Sequence, residues 1–218
     1  MTNSNNGRLD PEALRVLDYW IGHDNLSPDD TATQPMTTPT PRFKLWFAGG
    51  NKVDEEIRTL FEATINNADV GQLDHWQHSP KGLLALIIVL DQFPLNAFRK
   101  TARAFHLGDK AVPLTHEGIE RGFDQSMNVL EKLFFYLPLE HSERISDQRL
   151  SLELFQVMHK DSPPEHQEFT RKTLHSAQEH FDIIEQFGRY PFRNGVLGRE
   201  STEEELAWLE ANPGRFGQ

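Results

Sequence analysis

Two stretches of the chain concentrate side chains that could do chemistry. The first, residues 137–147 (LPLEHSERISD), brings Glu140, His141, Glu143 and Asp147 within a few residues of one another. An imidazole with a carboxylate to orient it is the usual equipment for general acid–base work, so Glu140, His141 and Glu143 are candidate catalytic groups. The second, residues 187–199 (FGRYPFRNGVLGR), carries Arg189, Arg193 and Arg199, three glycines and no acid. Each guanidinium is a forked donor suited to a carboxylate or a phosphate, and backbone amides beside Asn194 and Gly195 can join it. Asp91 and Arg99, at the end of a long apolar run, and His180 complete the set of candidate ligand-binding residues with Asp147, Arg189, Arg193, Asn194 and Arg199.

Two readings of the arginines stand side by side. They neutralise Glu140, Glu143 and Asp147 and lock the C-terminal loop, or one of them faces a cleft and holds an anion. Arg193, beside Asn194 and Gly195, is expected to hold the ligand, and Arg189 to act as the lock. Asp91 opposes the dipole of the helix it ends, so it needs a cation, and Arg99 or one of the later arginines is a natural candidate.

Other chemistries lack their patterns. Glu140, Glu143 and His180 offer carboxylate and imidazole ligands, but no H-E-x-x-H or E-x-x-H spacing occurs, so neither a metal nor another cofactor is expected. There is no G-x-G-x-x-G, no Walker loop and no G-x-S-x-G elbow. The absence of cysteine removes thiolate catalysis and disulfides. With 33 acidic against 22 basic residues the formal charge is −11, which argues against nucleic acid or an anionic membrane as partner. The longest apolar run, LLALIIVL at 83–90, is too short to span a bilayer, and the first residues lack a basic, apolar leader, so a cytoplasmic protein is expected.

The elements that must position these groups all read as helices. Residues 1–9 are polar and expected to be disordered, and residues 10–212 are expected to form one helical domain with a short tail at 213–218. Asp10-Pro11-Glu12 caps a first helix ending near Gly22. Residues 23–41, rich in proline and threonine, read as a surface loop or insertion, with Phe43, Leu45, Trp46 and Phe47 anchoring the return. A helix with Val53, Ile57, Leu60, Phe61 and Ile65 inward precedes one opened by Ser79-Pro80 that is apolar on every face to Leu90, where Phe93-Pro94 should break it. Helices are also expected over 110–121 and 126–136, with Pro113 in the first turn of the former. Pro138 should then open another running to about His159, which would put Glu140, Glu143 and Asp147 on one face. That helix should turn Ile145, Leu152, Phe155, Val157 and Met158 inward. A long helix over 165–187 and a last one, capped by Ser201 with Glu204 and burying Leu206, Trp208 and Leu209, complete the pattern.

Three phrases occur in order: LDQFPLNAFR from Leu90, FYLPLEHSE from Phe135, and FGRYPFRNGVLGRESTEEE from Phe187. Together they resemble the bacterial "domain of unknown function 924" family over about residues 42–212. The resemblance implies an all-α fold of about eight helices, in antiparallel pairs and tetratricopeptide-like arrangement, although no 34-residue repeat is present. Leu95 stands where the family usually has arginine, and Tyr190 and Phe192 stand where it has phenylalanine and histidine. A family role needing an imidazole at Phe192 would therefore be missing here.

The expectation is a helical protein whose polar cleft binds a small anion or an acidic or C-terminal peptide group. The alternative is a metal-independent hydrolase or transferase using His141 with Glu140 or Glu143.

Overall fold

The computed structural model describes residues 9–22, 45–46 and 50–213. The expectations for the N-terminal tail, the 23–41 loop, Phe43, Phe47 and the last residues lie outside them. The chain is all-α, with eight helices of eight residues or more and no strand among the described residues. None of these helices is long and apolar enough to cross a membrane.

Helix α1, Pro11–Trp20, starts where the Asp10 carboxylate accepts hydrogen bonds from the amides of Glu12 and Ala13, and it buries Ala13, Val16, Leu17 and Trp20. Helix α2, Gly50–Asp69, turns Ile57, Phe61 and Ile65 to the same core. Helix α3, Pro80–Ile87, is capped by the Ser79 hydroxyl and buried on every face, as its unbroken apolar run requires. Around it pack Trp20, Phe61, Phe93 and Phe134, with Trp20 edge-on to both Phe93 and Phe134. Trp46 anchors the returning chain by stacking edge-on to Phe134 and donating Nε1–H to the carbonyl of Trp20.

Pro94 does not break this helix. The chain runs on through a π-helical turn, Ile88–Gln92, into α4, Phe93–Ala97, and Phe93 stays right-handed helical at φ −62°, ψ −39°. The wider turn gives the proline ring room against the carbonyl one turn back, and the close packing around Phe93 outweighs the bias of a residue before proline against the α region. Such single π turns frequently occur at functional sites, and this one carries Asp91 and Gln92.

After a short α5, Arg103–His106, come α6, Gly108–Glu120, and α7, Val129–His141. Pro113 sits inside α6 rather than in its first turn. The two helices approach closely at Gly118, where an added Cβ would lie 2.5 Å from Phe135 Cζ and 2.6 Å from Leu83 Cδ2.

Pro138 does not open a helix; it lies in the last turn of α7, which is buried continuously from Leu133 to Glu140. Burial on all sides holds the helix through the proline, although Pro138 has no N–H to offer the Phe134 carbonyl one turn back. The next helix, α8, Ile145–Asp161, begins after a three-residue link, so Glu140, Glu143 and Asp147 share no helical face. Its inward side holds Phe155 and Met158 together with Asp147, Gln148 and Ser151, whereas Val157 is 56% exposed.

Short links make α7, α8 and α9, Gln167–Phe187, consecutive antiparallel neighbours. The last helix, α10, Glu203–Ala211, is capped one residue later than its sequence suggests: Thr202 and Glu205 form the box, and Glu205 is buried while Leu206 is 51% exposed. Trp208 packs on a small second apolar cluster of Ile183, Ile184 and Tyr190.

Candidate functional site

Two helix ends, neither regular, bring the first part of the site together. Asp91 sits in the π turn and is 3% exposed; His141 is the last residue of α7. His141 Nδ1 lies 2.9 Å from both Asp91 carboxylate oxygens, and Gln92 Nε2 donates to Oδ2 at 2.6 Å. The carboxylate thereby fixes the ring, with Nδ1–H as the donor. Nε2 is left without a hydrogen bond among the described residues, on a side chain that lines a pocket.

That pocket is small, with a cavity volume of about 20 Å³, and it opens to solvent. Leu95, Ala104, Phe105, Val112 and Pro138 supply its apolar walls. Asp91, Asp109, His141, Ser142 and Arg193 supply its polar groups.

Arg193 ends a short 3-10 turn, Pro191–Arg193, in the loop between α9 and α10. Its Cζ lies 4.4 Å from the Tyr190 ring centre, 4.8 Å from that of Phe105 and 5.8 Å from that of Phe192. The guanidinium makes no hydrogen bond or ion pair among the described residues, and its Nε is buried without a partner. Desolvation pulls its pKa down, only partly opposed by Tyr190, Glu143 and Asp91. Aromatic faces attract a cation but satisfy none of its N–H donors.

The surrounding charges are, by contrast, matched. Glu140 is buried with His180 Nδ1 at 3.0 Å and the Ser176 hydroxyl at 2.9 Å. Desolvation alone would raise the Glu140 pKa, yet His180 and Ser176 hold it below the ordinary carboxylate value. Glu143 accepts both Arg199 donors at 2.6 and 3.0 Å and the Tyr190 amide at 2.9 Å; burial pushes its pKa up, but these partners bring the net shift downward. Asp147 is held by the Ser142 hydroxyl, His116 and Arg144, again with a net lowering against desolvation. Arg189 grips Glu205 at 2.6 and 2.8 Å, and the Asn194 amide reaches the same carboxylate at 3.2 Å. The Tyr190 hydroxyl donates to the carbonyl of Glu140, and the two N–H groups of Gln148 Nε2 are shared among that hydroxyl and the carbonyls of Glu140 and Ser142, all within hydrogen-bond distance. Both side chains thus cap the end of α7 that presents His141.

The candidate residues therefore divide. Asp91, His141 and Arg193 meet in one pocket. Glu140 and His180 lie behind it as a buried pair, and Glu143, Asp147, Asn194 and Arg199 belong to the framework. Three expected pairings are corrected. Arg99 binds Asp54 at 2.7 and 3.0 Å and leaves Asp91 to His141, because helix α2 lies beside the turn that follows α4. Arg189 locks onto Glu205, sixteen residues along the same C-terminal segment, rather than onto Glu140 or Glu143. The carboxylate that orients His141 is Asp91, not either flanking glutamate, both of which face other partners.

Sequence reading missed Gln92, Phe105, Asp109 and Tyr190 at this site, and Glu205 in the lock. Gln92 had a local signal, since it follows Asp91 in the LDQFP phrase. Phe105 and Asp109 had none, because ordinary helix residues gain a role here only through the approach of a loop nearly ninety residues later.

A family model described as "Bacterial protein of unknown function (DUF924)" matches residues 16–213. A solved structure of a protein of unknown function from Agrobacterium tumefaciens is similar at 33% identity and a TM-score of 0.73, covering 92% of this chain and 98% of that one. No curated protein matches the chain.

Proposed function

The chain belongs to the DUF924 family of bacterial proteins, and from that premise and the pocket geometry we propose that it binds a small anion, a carboxylate or phosphate group, on Arg193 beside the Asp91–His141 pair. One observation carries the reading: the part-buried Arg193 has an enclosed Nε with no acceptor and no carboxylate within hydrogen-bond reach among the described residues, while every other arginine of its loop grips a carboxylate. An enclosed guanidinium N–H without an acceptor is costly, and an anion entering the pocket would supply that acceptor. The small, solvent-open pocket suits a single anionic group, free or at the terminus of a peptide, and not a large enclosed ligand.

The experiment is a thermal melt of the full chain with phosphate, sulfate or succinate. The wild-type melting temperature should rise with anion concentration, and Arg193→Gln should not respond. Equal stabilisation of both proteins would remove the assignment.

A second reading rests on a different observation, the clamping of His141 Nδ1 by both Asp91 oxygens. An imidazole so oriented is suited to take or give a proton at Nε2, with Arg193 stabilising the negative charge that develops, as in metal-independent hydrolysis or group transfer. Turnover of a generic ester or phosphate ester that disappears in His141→Gln, while phosphate still stabilises that variant, would favour catalysis over binding alone.

A further inference from the structure

His141 ends α7 with Nδ1 held by Asp91, and its side chain is 20% exposed, so Nε2 is the ring nitrogen left for a ligand. Arg193 lines the same small pocket, and Asp91 is among the groups that offset its desolvation, so guanidinium, carboxylate and imidazole act on one space. The other charged groups around the ring are committed. Glu140, the preceding residue, is paired with His180, whose ring lies 6.3 Å from that of His141. Glu143 is bound to Arg199, and Asp147 to His116 and Arg144. Asp109, in the first turn of α6, is exposed.

With a neutral His141, the lining sets one cation, Arg193, against the carboxylates of Asp91 and Asp109, and an arriving anion meets no net attraction. A proton on His141 supplies a second cation. Asp109 is open to water and screened, so the two cations then outweigh the enclosed Asp91. A charged ring also has its counter-ion in place, since Asp91 already receives Nδ1–H, and it stands at the C-terminus of a helix, where a cation complements the dipole. Resting on the anion-binding reading of Arg193, we infer that the anion takes its second contact from the protonated His141, through Nε2–H, so that each anion bound brings one proton with it. By linkage, affinity falls as pH rises through the titration of the imidazole, and the bound anion holds the proton on the ring to the same extent. The pocket opens to solvent, so only the contacted oxygens of the anion need enter it.

Sulfate is the probe, because its own charge does not change between about pH 5.5 and about pH 8.5, where an imidazole titrates. Calorimetric titration of the full chain should give an affinity that falls by up to about tenfold per pH unit on the alkaline side. Repeating it in buffers of different ionisation heat should show an uptake approaching one proton per sulfate. In His141→Gln, which keeps a neutral N–H donor, sulfate should bind more weakly and equally at every pH. Because that variant also takes a partner from Asp91, nitrogen NMR of the wild type gives an independent measurement: at about pH 8, sulfate should move the His141 ring nitrogens to their imidazolium positions. Sulfate binding that is flat with pH, or a ring that sulfate leaves unmoved, overturns the inference and leaves the anion reading standing. A pH dependence that survives in His141→Gln puts the proton on another group, and the assignment to His141 fails. If the wild type binds no sulfate at any pH, the anion reading falls and this inference with it.

Discussion

His141 and Asp91, fifty positions apart in the chain, meet with the imidazole Nδ1 2.9 Å from both carboxylate oxygens. The contact ties the C-terminus of α7 to the π turn after α3, so the pair fixes the relative position of two helix ends as well as the imidazole. Asp91 is 3% exposed, and its replacement removes the acceptor that His141 Nδ1 and Gln92 Nε2 share.

The first prediction follows from that pairing. Asp91→Asn keeps the shape but removes the charge and one acceptor, so urea denaturation at neutral pH should show a loss of about 1–3 kcal/mol, the range for a buried hydrogen bond to a charged group. An unchanged midpoint would mean that the contact holds neither helix end in place.

The second contrasts two arginines six residues apart. Arg199 makes a two-pronged pair with Glu143 that is about three-quarters shielded, and Arg199→Gln should cost about 2 kcal/mol. Arg193→Gln, in buffer without small anions, should melt at the wild-type temperature or slightly above, because it removes a part-buried charge that no carboxylate hydrogen-bonds and that Glu143 and Asp91 offset only in part. A larger loss in Arg193→Gln than in Arg199→Gln would make Arg193 a structural residue.

The third concerns acid. The pair with Arg189, opposed by desolvation and aided by the Thr202 amide, pulls the Glu205 pKa down to about 2, and Glu140, Glu143 and Asp147 are also shifted down. A carboxylate held lower in the folded than in the unfolded chain stabilises the fold above its unfolded pKa, and that contribution disappears as pH falls through the folded value. For Glu205 the window runs from its ordinary value of 4.5 down to about 2. Denaturation curves across that range should fall steeply for the wild type and less steeply for Glu205→Gln. Parallel curves would show that the Arg189–Glu205 lock contributes nothing that titrates there.

The helical class and most helix positions were legible in the sequence because they depend on short-range chemistry. The Asp10 and Ser79 caps, the period of Ile57, Phe61 and Ile65, and the break after Asp161 are all decided within a turn or two of chain. Asp91, His141 and Arg193 were also recognisable as unusual residues from their types and neighbours. Which of them meet was not, because that depends on packing. Pro94 read locally as a helix breaker and Pro138 as a helix opener, yet burial on every side carried the helices through both, and this moved Glu140, Glu143 and Asp147 off a common face. The acceptor that each arginine found was equally invisible. An ion pair depends on where two helices and a loop come to rest, and Arg189, Arg193 and Arg199, alike in sequence, were separated into two locks and one unpaired cation only by that placement.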